Sequence, residues 1–128
     1  MATIRHHARI ARSADDVWAV VRDTGDVAEW FPAIDASSQD GDVRVCSMMG
    51  LELKEQIVTN DDELRRLQYR IVEAPMPIEF HLATVDVLED GAGSLVVYST
   101  EVQPDDLAPV VSPSLADGLA GLKAFLEK

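Results

Sequence analysis

The chain ends in the stretch SPSLADGLAGLKAFLEK, residues 112–128, which has the pattern of an amphipathic helix. Ser112 is a typical N-cap, and Pro113 suits the first helical position because no N–H is needed there. Apolar residues then recur at steps of three and four, the period of one helix face. This stripe consists of Leu115, Leu119, Leu122 and Leu126, with Phe125 beside it.

Two glycines lie close to this stripe. Gly118 and Gly121 each weaken the helix by about 1 kcal/mol relative to alanine. Because glycine has no side chain, a sheet or a ligand can approach the helix closely at these positions. We therefore expect the rest of the chain to pack around this helix.

The preceding residues have the pattern of strands, turns and two short helices. Residues 3–11 alternate between apolar and polar, which predicts a half-buried strand. A first short helix begins at the Ser13 cap and ends by Gly25, and a second covers residues 26–31. Further strands are expected over residues 34–38, 43–48, 51–59, 66–72, 78–88 and 94–103.

This order of elements predicts an α+β fold in one domain spanning residues 1–128. Strands joined by turns at this spacing form an antiparallel meander, and only the last helix is long enough to cover its apolar face. A strongly twisted sheet curls around such a helix and leaves space beneath it. We expect a curved antiparallel sheet of six to seven strands, a long C-terminal helix and a cavity between them.

Composition limits the partners of the protein. The formal net charge of −12 disfavours nucleic acid and anionic membranes. The single cysteine, Cys46, excludes an intramolecular disulfide and fits a reducing compartment. The N-terminus lacks a signal-peptide core, and no apolar run reaches membrane length. We expect a cytoplasmic protein without stable membrane insertion; monomer and homodimer both remain open.

One hairpin brings opposite charges together. If residues 49–50 form a two-residue turn, Arg44 lies opposite Glu55 and Cys46 opposite Leu53 on one face. The returning strand is more apolar on this face, so we assign the face to the concave side. The Arg–Glu pair either anchors a ligand carboxylate, phosphate or carbonyl, or only holds the sheet at the cavity rim.

Two tyrosines also point to the apolar side of their strands. Tyr69 and Tyr98 either donate hydrogen bonds to a ligand oxygen or are core aromatic residues bonded to water or backbone.

The histidines do not form a metal site. His6 and His7 are adjacent on a strand and point to opposite faces, and no carboxylate or thiol joins them at ligand spacing. We therefore predict no metal and no cofactor. His6 and His81 are either general bases or partly exposed bystanders, and Cys46 is a small buried apolar residue.

Several motifs carry a family resemblance. The stretch ARSADDVWAVVRD, residues 11–23, followed by EWFP, residues 29–32, resembles the "A-x-x-x-x-V-W-x-x-V-x-D…W-x-P" opening of the START-like (SRPBCC) superfamily. Residues 41–44, residues 50–55 and Tyr69 resemble the "G-x-x-R…G…E…Y" succession of its polyketide cyclase/dehydrase branch. The closing GLAGLKAFLEK is similar to that branch's "G-L-x-x-L-K". The resemblance implies the helix-grip fold of pollen allergens and START-like proteins.

The leading functional hypothesis is binding of a hydrophobic small molecule, such as a lipid, polyketide or isoprenoid, between sheet and helix. One alternative is a cyclase/dehydratase-type enzyme, with a base removing a proton next to a carbonyl and Arg44 or a tyrosine stabilising the enolate. Another is a protein-interaction module with a filled pocket. The sequence leaves open whether the chain is an enzyme and assigns no catalytic residue. The candidate ligand-binding residues are Arg44, Glu55, Leu53, Tyr69, Tyr98, Leu115, Leu119, Leu122 and Phe125.

Overall fold

The computed structural model describes all residues, 1–128. The strands are β1 (Ala2–Ile10), β2 (Ala36–Asp40), β3 (Val43–Met48), β4 (Leu51–Asp61), β5 (Arg66–Glu73), β6 (Phe80–Asp90) and β7 (Gly93–Gln103). The helices are α1 (Ala14–Val21) and α2 (Ala108–Leu126), with 3₁₀ segments at Thr24–Glu29 and Asp105–Leu107.

The seven strands form one antiparallel, curved sheet in the order β1-β7-β6-β5-β4-β3-β2. The first strand pairs with the last, and all other neighbours are consecutive in the chain. The predicted meander, the strand number and the long C-terminal helix are therefore confirmed. The helix packs across the sheet mainly against β1, and a cluster of buried apolar residues lies between them.

The short helices after β1 are also present. The Ser13 hydroxyl accepts a hydrogen bond from the Asp16 backbone N–H at 3.1 Å, as expected of an N-cap. The second short helix is a 3₁₀ segment that begins two residues earlier than predicted. It leads into Trp30 and Phe31, which are buried beside α2.

The start of α2 differs from the prediction. The helix begins at Ala108 instead of Ser112, and Pro113 lies inside it. A proline there removes the hydrogen bond to the carbonyl four residues earlier, which belongs to Pro109 in the first turn. Only one bond near the helix end is lost, while Leu107 and Val111 pack against the core. Tertiary packing thus overrides the local start signal.

The two glycines of α2 are needed for a close contact. A Cβ at Gly118 would lie 2.5 Å from Cε2 of Phe31, and a Cβ at Gly121 would overlap the carbonyl oxygen of Trp30 and the ring of Pro32. The element that approaches the helix closely is therefore the segment 30–32, rather than the sheet or a ligand. No helix combines the length and apolar character needed to cross a membrane.

Candidate functional site

A cavity of about 380 Å³ lies between the sheet and residues 110–117 of α2. Of its 25 lining residues, 20 are hydrophobic, which is the usual character of a pocket for small apolar molecules. Phe31 lines this cavity and also packs against Gly118, so it separates the cavity from the closely packed part of α2.

The structure brings six of the nine candidate ligand-binding residues together around this cavity. They are Arg44, Leu53, Glu55, Tyr69, Tyr98 and Leu115.

The other three candidates do not line the cavity. Leu119 and Leu122 are buried in the core, and Phe125 borders a separate shallow groove with Trp30 and Pro32. The apolar stripe runs along the whole helix, but the segment 30–32 packs against its second half, so the cavity does not extend there.

The hairpin between β3 and β4 has the predicted register. Arg44 pairs with Glu55 and Cys46 with Leu53, and the turn at Met49 and Gly50 has positive φ angles of 52° and 79°. Because side chains alternate along a strand, this register points Arg44, Leu53 and Glu55 into the cavity.

Arg44 and Glu55 form a buried ion pair. Nε of Arg44 donates to Oε1 of Glu55 at 2.9 Å, and Nη2 lies 2.7 Å from the same oxygen. The residues are only 2% and 6% exposed, so this is not the exposed rim pair that the sequence left open. Burial lowers the pKa of Arg44 and the Glu55 charge raises it; the net shift is upward, so the guanidinium stays charged.

The remaining contacts of Arg44 hold the guanidinium in place. Nη1 donates to the backbone carbonyl of Thr24 at 3.0 Å, and the group lies 4.8 Å from the centre of the Tyr69 ring. All three guanidinium nitrogens thus lie against oxygens of the protein. This carbonyl contact was missed at the sequence level, because a backbone acceptor leaves no mark in the residue pattern.

The two cavity tyrosines are partners of each other. The hydroxyls of Tyr69 and Tyr98 are hydrogen-bonded, and both residues are buried. Burial raises the pKa of Tyr98 to about 12 and that of Tyr69 well above its usual value, so both phenols are neutral at physiological pH. One of their two protons makes the shared bond, and the other has no acceptor in the protein.

His81 lies at the same end of the cavity and is 4% exposed. The backbone N–H of Ile71 donates to its Nδ1 at 3.0 Å, so the proton of the neutral ring is on Nε2. Burial, together with the charge of Arg70, lowers the pKa of His81 to about 4. His81 can therefore donate a hydrogen bond, but its basic nitrogen is occupied and it is not suited to act as a general base.

The other candidate base, His6, is not in the cavity. Its Nε2 lies 2.9 Å from the hydroxyl of Ser112, where it joins β1 to α2. Cys46 is buried as expected, and burial together with the Glu55 charge raises the pKa of its thiol to about 12. No group of three or more His, Cys, Asp or Glu side chains is arranged to hold a metal ion.

Two polar atoms at this end are open to the cavity. Neither Oε2 of Glu55 nor Nε2 of His81 has a hydrogen-bond partner, and neither is enclosed, since the only enclosed atoms without partners belong to Ser94 and Thr100. Glu55 is the cross-strand partner of Ile71, whose N–H bonds His81. The polar end therefore presents an acceptor and a donor on either side of Ile71.

Solved structures share this architecture. The protein XoxI of Bacillus cereus aligns with a TM-score of 0.94 and 25% identity, over 100% of this chain and 97% of that chain. The Zhui aromatase/cyclase of a Streptomyces species aligns with a TM-score of 0.85 and 19% identity, covering 98% and 93%. Norcoclaurine synthase of Thalictrum flavum aligns with a TM-score of 0.78 and 21% identity, covering 99% and 87%. At these lower identities the last two show the fold alone.

The sequence comparison is more specific. No curated protein matches the chain. A family model described as polyketide cyclase/dehydrase and lipid transport, however, matches residues 1–127. With this match over nearly the whole chain and the helix-grip fold now established, the chain belongs to the polyketide cyclase/dehydrase and lipid transport family of the START-like (SRPBCC) superfamily.

Proposed function

We propose that the protein binds a hydrophobic small molecule, of lipid, polyketide or isoprenoid type, in the cavity between the sheet and α2. The observation that carries this proposal is an open, mostly apolar space of about 380 Å³ with a cluster of buried polar groups on its sheet side. Its volume falls within the range of about 300–1,000 Å³ that is common for ligand pockets. An interaction module with a filled pocket would not leave such a space.

The cavity also has an accessible mouth. Met49, Leu51 and Val110 line the cavity and are exposed to solvent. They place its opening between the β3–β4 turn and the first turns of α2. An apolar rim at an opening of this kind favours the entry of an apolar ligand.

A cavity-filling variant tests the proposal. The uncharged hydrophobic dye N-phenyl-1-naphthylamine is titrated into the native protein and into Leu53→Trp, whose larger side chain occupies the cavity. Val58→Trp, at an exposed position outside the cavity, is the matched control. We expect Leu53→Trp to weaken dye binding at least tenfold while Val58→Trp matches the native protein. Equal binding by all three would contradict the proposal. Native mass spectrometry of gently purified protein, followed by organic extraction, then identifies any ligand that co-purifies.

A second candidate function is enolisation of a bound carbonyl compound, which is the chemistry of a cyclase or dehydratase. Oε2 of Glu55 is open to the cavity and could remove a proton next to the carbonyl. Because Arg44 is already bonded to Glu55 and Thr24, stabilisation of the enolate oxygen would come from His81 or the tyrosine pair. Deuterium exchange into methyl naphthyl ketone in D₂O tests this. An enzyme shows exchange that is lost in Glu55→Gln, whereas a binding protein shows none.

A further inference from the structure

The charges that line the cavity leave no cation free for a ligand. The charged side chains are Arg44, Glu55 and Asp117, one cation against two anions, and His81 is neutral. Each nitrogen of the Arg44 guanidinium already contacts an oxygen of Glu55 or Thr24, and the Glu55 carboxylate balances its charge. A carboxylate entering this space would lose its hydration without gaining an unpaired cation, which is costly.

The polar atoms of the cavity that lack hydrogen-bond partners indicate which functional group of a ligand would bind well. Nε2–H of His81 and the spare phenol proton of the Tyr69–Tyr98 pair need an acceptor. Oε2 of Glu55 needs a donor. A carbonyl oxygen can satisfy only the donors, and an ammonium group only the acceptor. A hydroxyl group both accepts and donates, so it can satisfy both kinds of atom.

Building on the proposed ligand-binding function, we propose that the cavity selects apolar molecules that carry an uncharged hydroxyl, as in phenols and alcohols, and excludes the corresponding carboxylates. The hydroxyl accepts from His81 or the tyrosine pair and donates to Glu55, while the apolar body of the ligand contacts the rest of the cavity.

Three biphenyl derivatives of similar shape test this selectivity: hydroxybiphenyl, methylbiphenyl and biphenyl carboxylate. Binding to the full chain is followed by the fluorescence of Trp30, which lines the cavity, and by calorimetry. The hydroxyl compound should bind about tenfold more tightly than the methyl compound, since one or two buried hydrogen bonds are gained. The carboxylate should bind at least a hundredfold more weakly than the hydroxyl compound.

The outcomes separate this inference from the proposed function. If none of the three compounds binds, ligand binding in the cavity is itself overturned. If the methyl compound binds as tightly as the hydroxyl compound, or the carboxylate binds best, hydrophobic binding stands and the selectivity proposal is overturned.

A charge variant inverts the selectivity. Glu55→Gln leaves Arg44 without its counterion, so a ligand carboxylate can take the place of the missing charge. We expect the affinity for biphenyl carboxylate to rise at least tenfold and that for hydroxybiphenyl to fall. An unchanged rank order in a folded Glu55→Gln protein would overturn the proposal.

His81→Asn provides a second route if Glu55→Gln does not fold. Its amide oxygen can still accept from the Ile71 N–H, but its shorter side chain withdraws the donor from the cavity. Hydroxybiphenyl should then bind about threefold to tenfold more weakly, with methylbiphenyl unaffected. Equal losses for the two compounds would overturn the role of His81.

Discussion

The two halves of α2 carry the same apolar stripe but have different surroundings. The cavity half, residues 108–117, borders empty space through Val111 and Leu115. The packed half, residues 118–126, is closed by the segment 30–32, and its Leu119 and Leu122 are buried in the core.

The difference between these halves shows how a small domain combines stability with a pocket. Glycine in the packed half lets Phe31 and Trp30 approach the helix backbone, which fixes α2 against the segment 30–32. In the cavity half, Ser112 still bonds His6 of β1, but Val111 and Leu115 face the open cavity. The two glycines thus allow the close contact with segment 30–32 in one half of the helix, and the cavity lies along the other half.

The largest expected effect concerns the polar end of the cavity. Glu55→Leu should lower the free energy of unfolding by about 4 kcal/mol, because Arg44 is left as an uncompensated buried charge. The double variant Arg44→Met/Glu55→Leu should recover most of this loss, since no buried charge remains. Urea unfolding followed by circular dichroism measures both. Equal losses in the single and double variants would show that packing, and not charge balance, stabilises this region.

Matched leucine truncations compare the two halves directly. Leu122→Ala should cost about 3 kcal/mol, because the side chain is enclosed in the packed half and leaves a void. Leu115→Ala should cost about 1 kcal/mol less, because Leu115 already borders the cavity, but it should weaken binding of the hydrophobic dye. Thermal and urea unfolding give the two free energies. A larger loss at Leu115 would contradict the division of the helix.

Much of the fold follows from local sequence pattern. The alternation in β1, the two-residue turn at 49–50 and the helical stripe each depend on a short stretch, and the Arg44–Glu55 pairing followed from turn length alone. Cross-strand neighbours in a hairpin are fixed once the turn is fixed. The sequence could therefore predict which side chains share the concave face.

The parts that could not be predicted depend on long-range contacts. The position of the cavity along α2 depends on segment 30–32, nearly ninety residues earlier in the chain, so the stripe could not show that Leu119 and Leu122 would be enclosed. The start of α2 before Pro113 depends on tertiary packing. The tautomer of His81 is set by a backbone N–H on a neighbouring strand, which the sequence does not reveal.

The pH dependence of the free energy of unfolding tests whether water reaches His81 at the polar end of the cavity. Burial lowers the pKa of His81 from 6.5 to about 4, so the unfolded chain binds the extra proton first as the pH falls. The contribution of neutral His81 is fully present above pH 6.5 and is lost as the pH falls toward 4. It should amount to about 3 kcal/mol over this window.

His81→Asn serves as the reference for this measurement. Urea unfolding of both proteins at several pH values should show the native protein losing stability faster than the variant between pH 6.5 and 4. Parallel pH profiles would mean that water reaches the ring freely, and the cavity end would then be less enclosed than its burial indicates.

The smallest expected effect concerns the close contact between segment 30–32 and the packed half of α2. The sign of the change in the free energy of unfolding tests this contact. Helix propensity alone predicts that Gly121→Ala stabilises the protein by about 1 kcal/mol, and that the exposed control Ala120→Gly destabilises it by the same amount. At Gly121, however, the new Cβ overlaps the Trp30 carbonyl and Pro32, and overpacking of this kind costs about 3 kcal/mol. The net expectation is a loss of about 2 kcal/mol in urea unfolding, with the propensity effect intact at Ala120. A higher free energy of unfolding for Gly121→Ala would mean that segment 30–32 shifts to make room for the new Cβ. The close contact that separates the packed half from the cavity half would then be adjustable and not fixed.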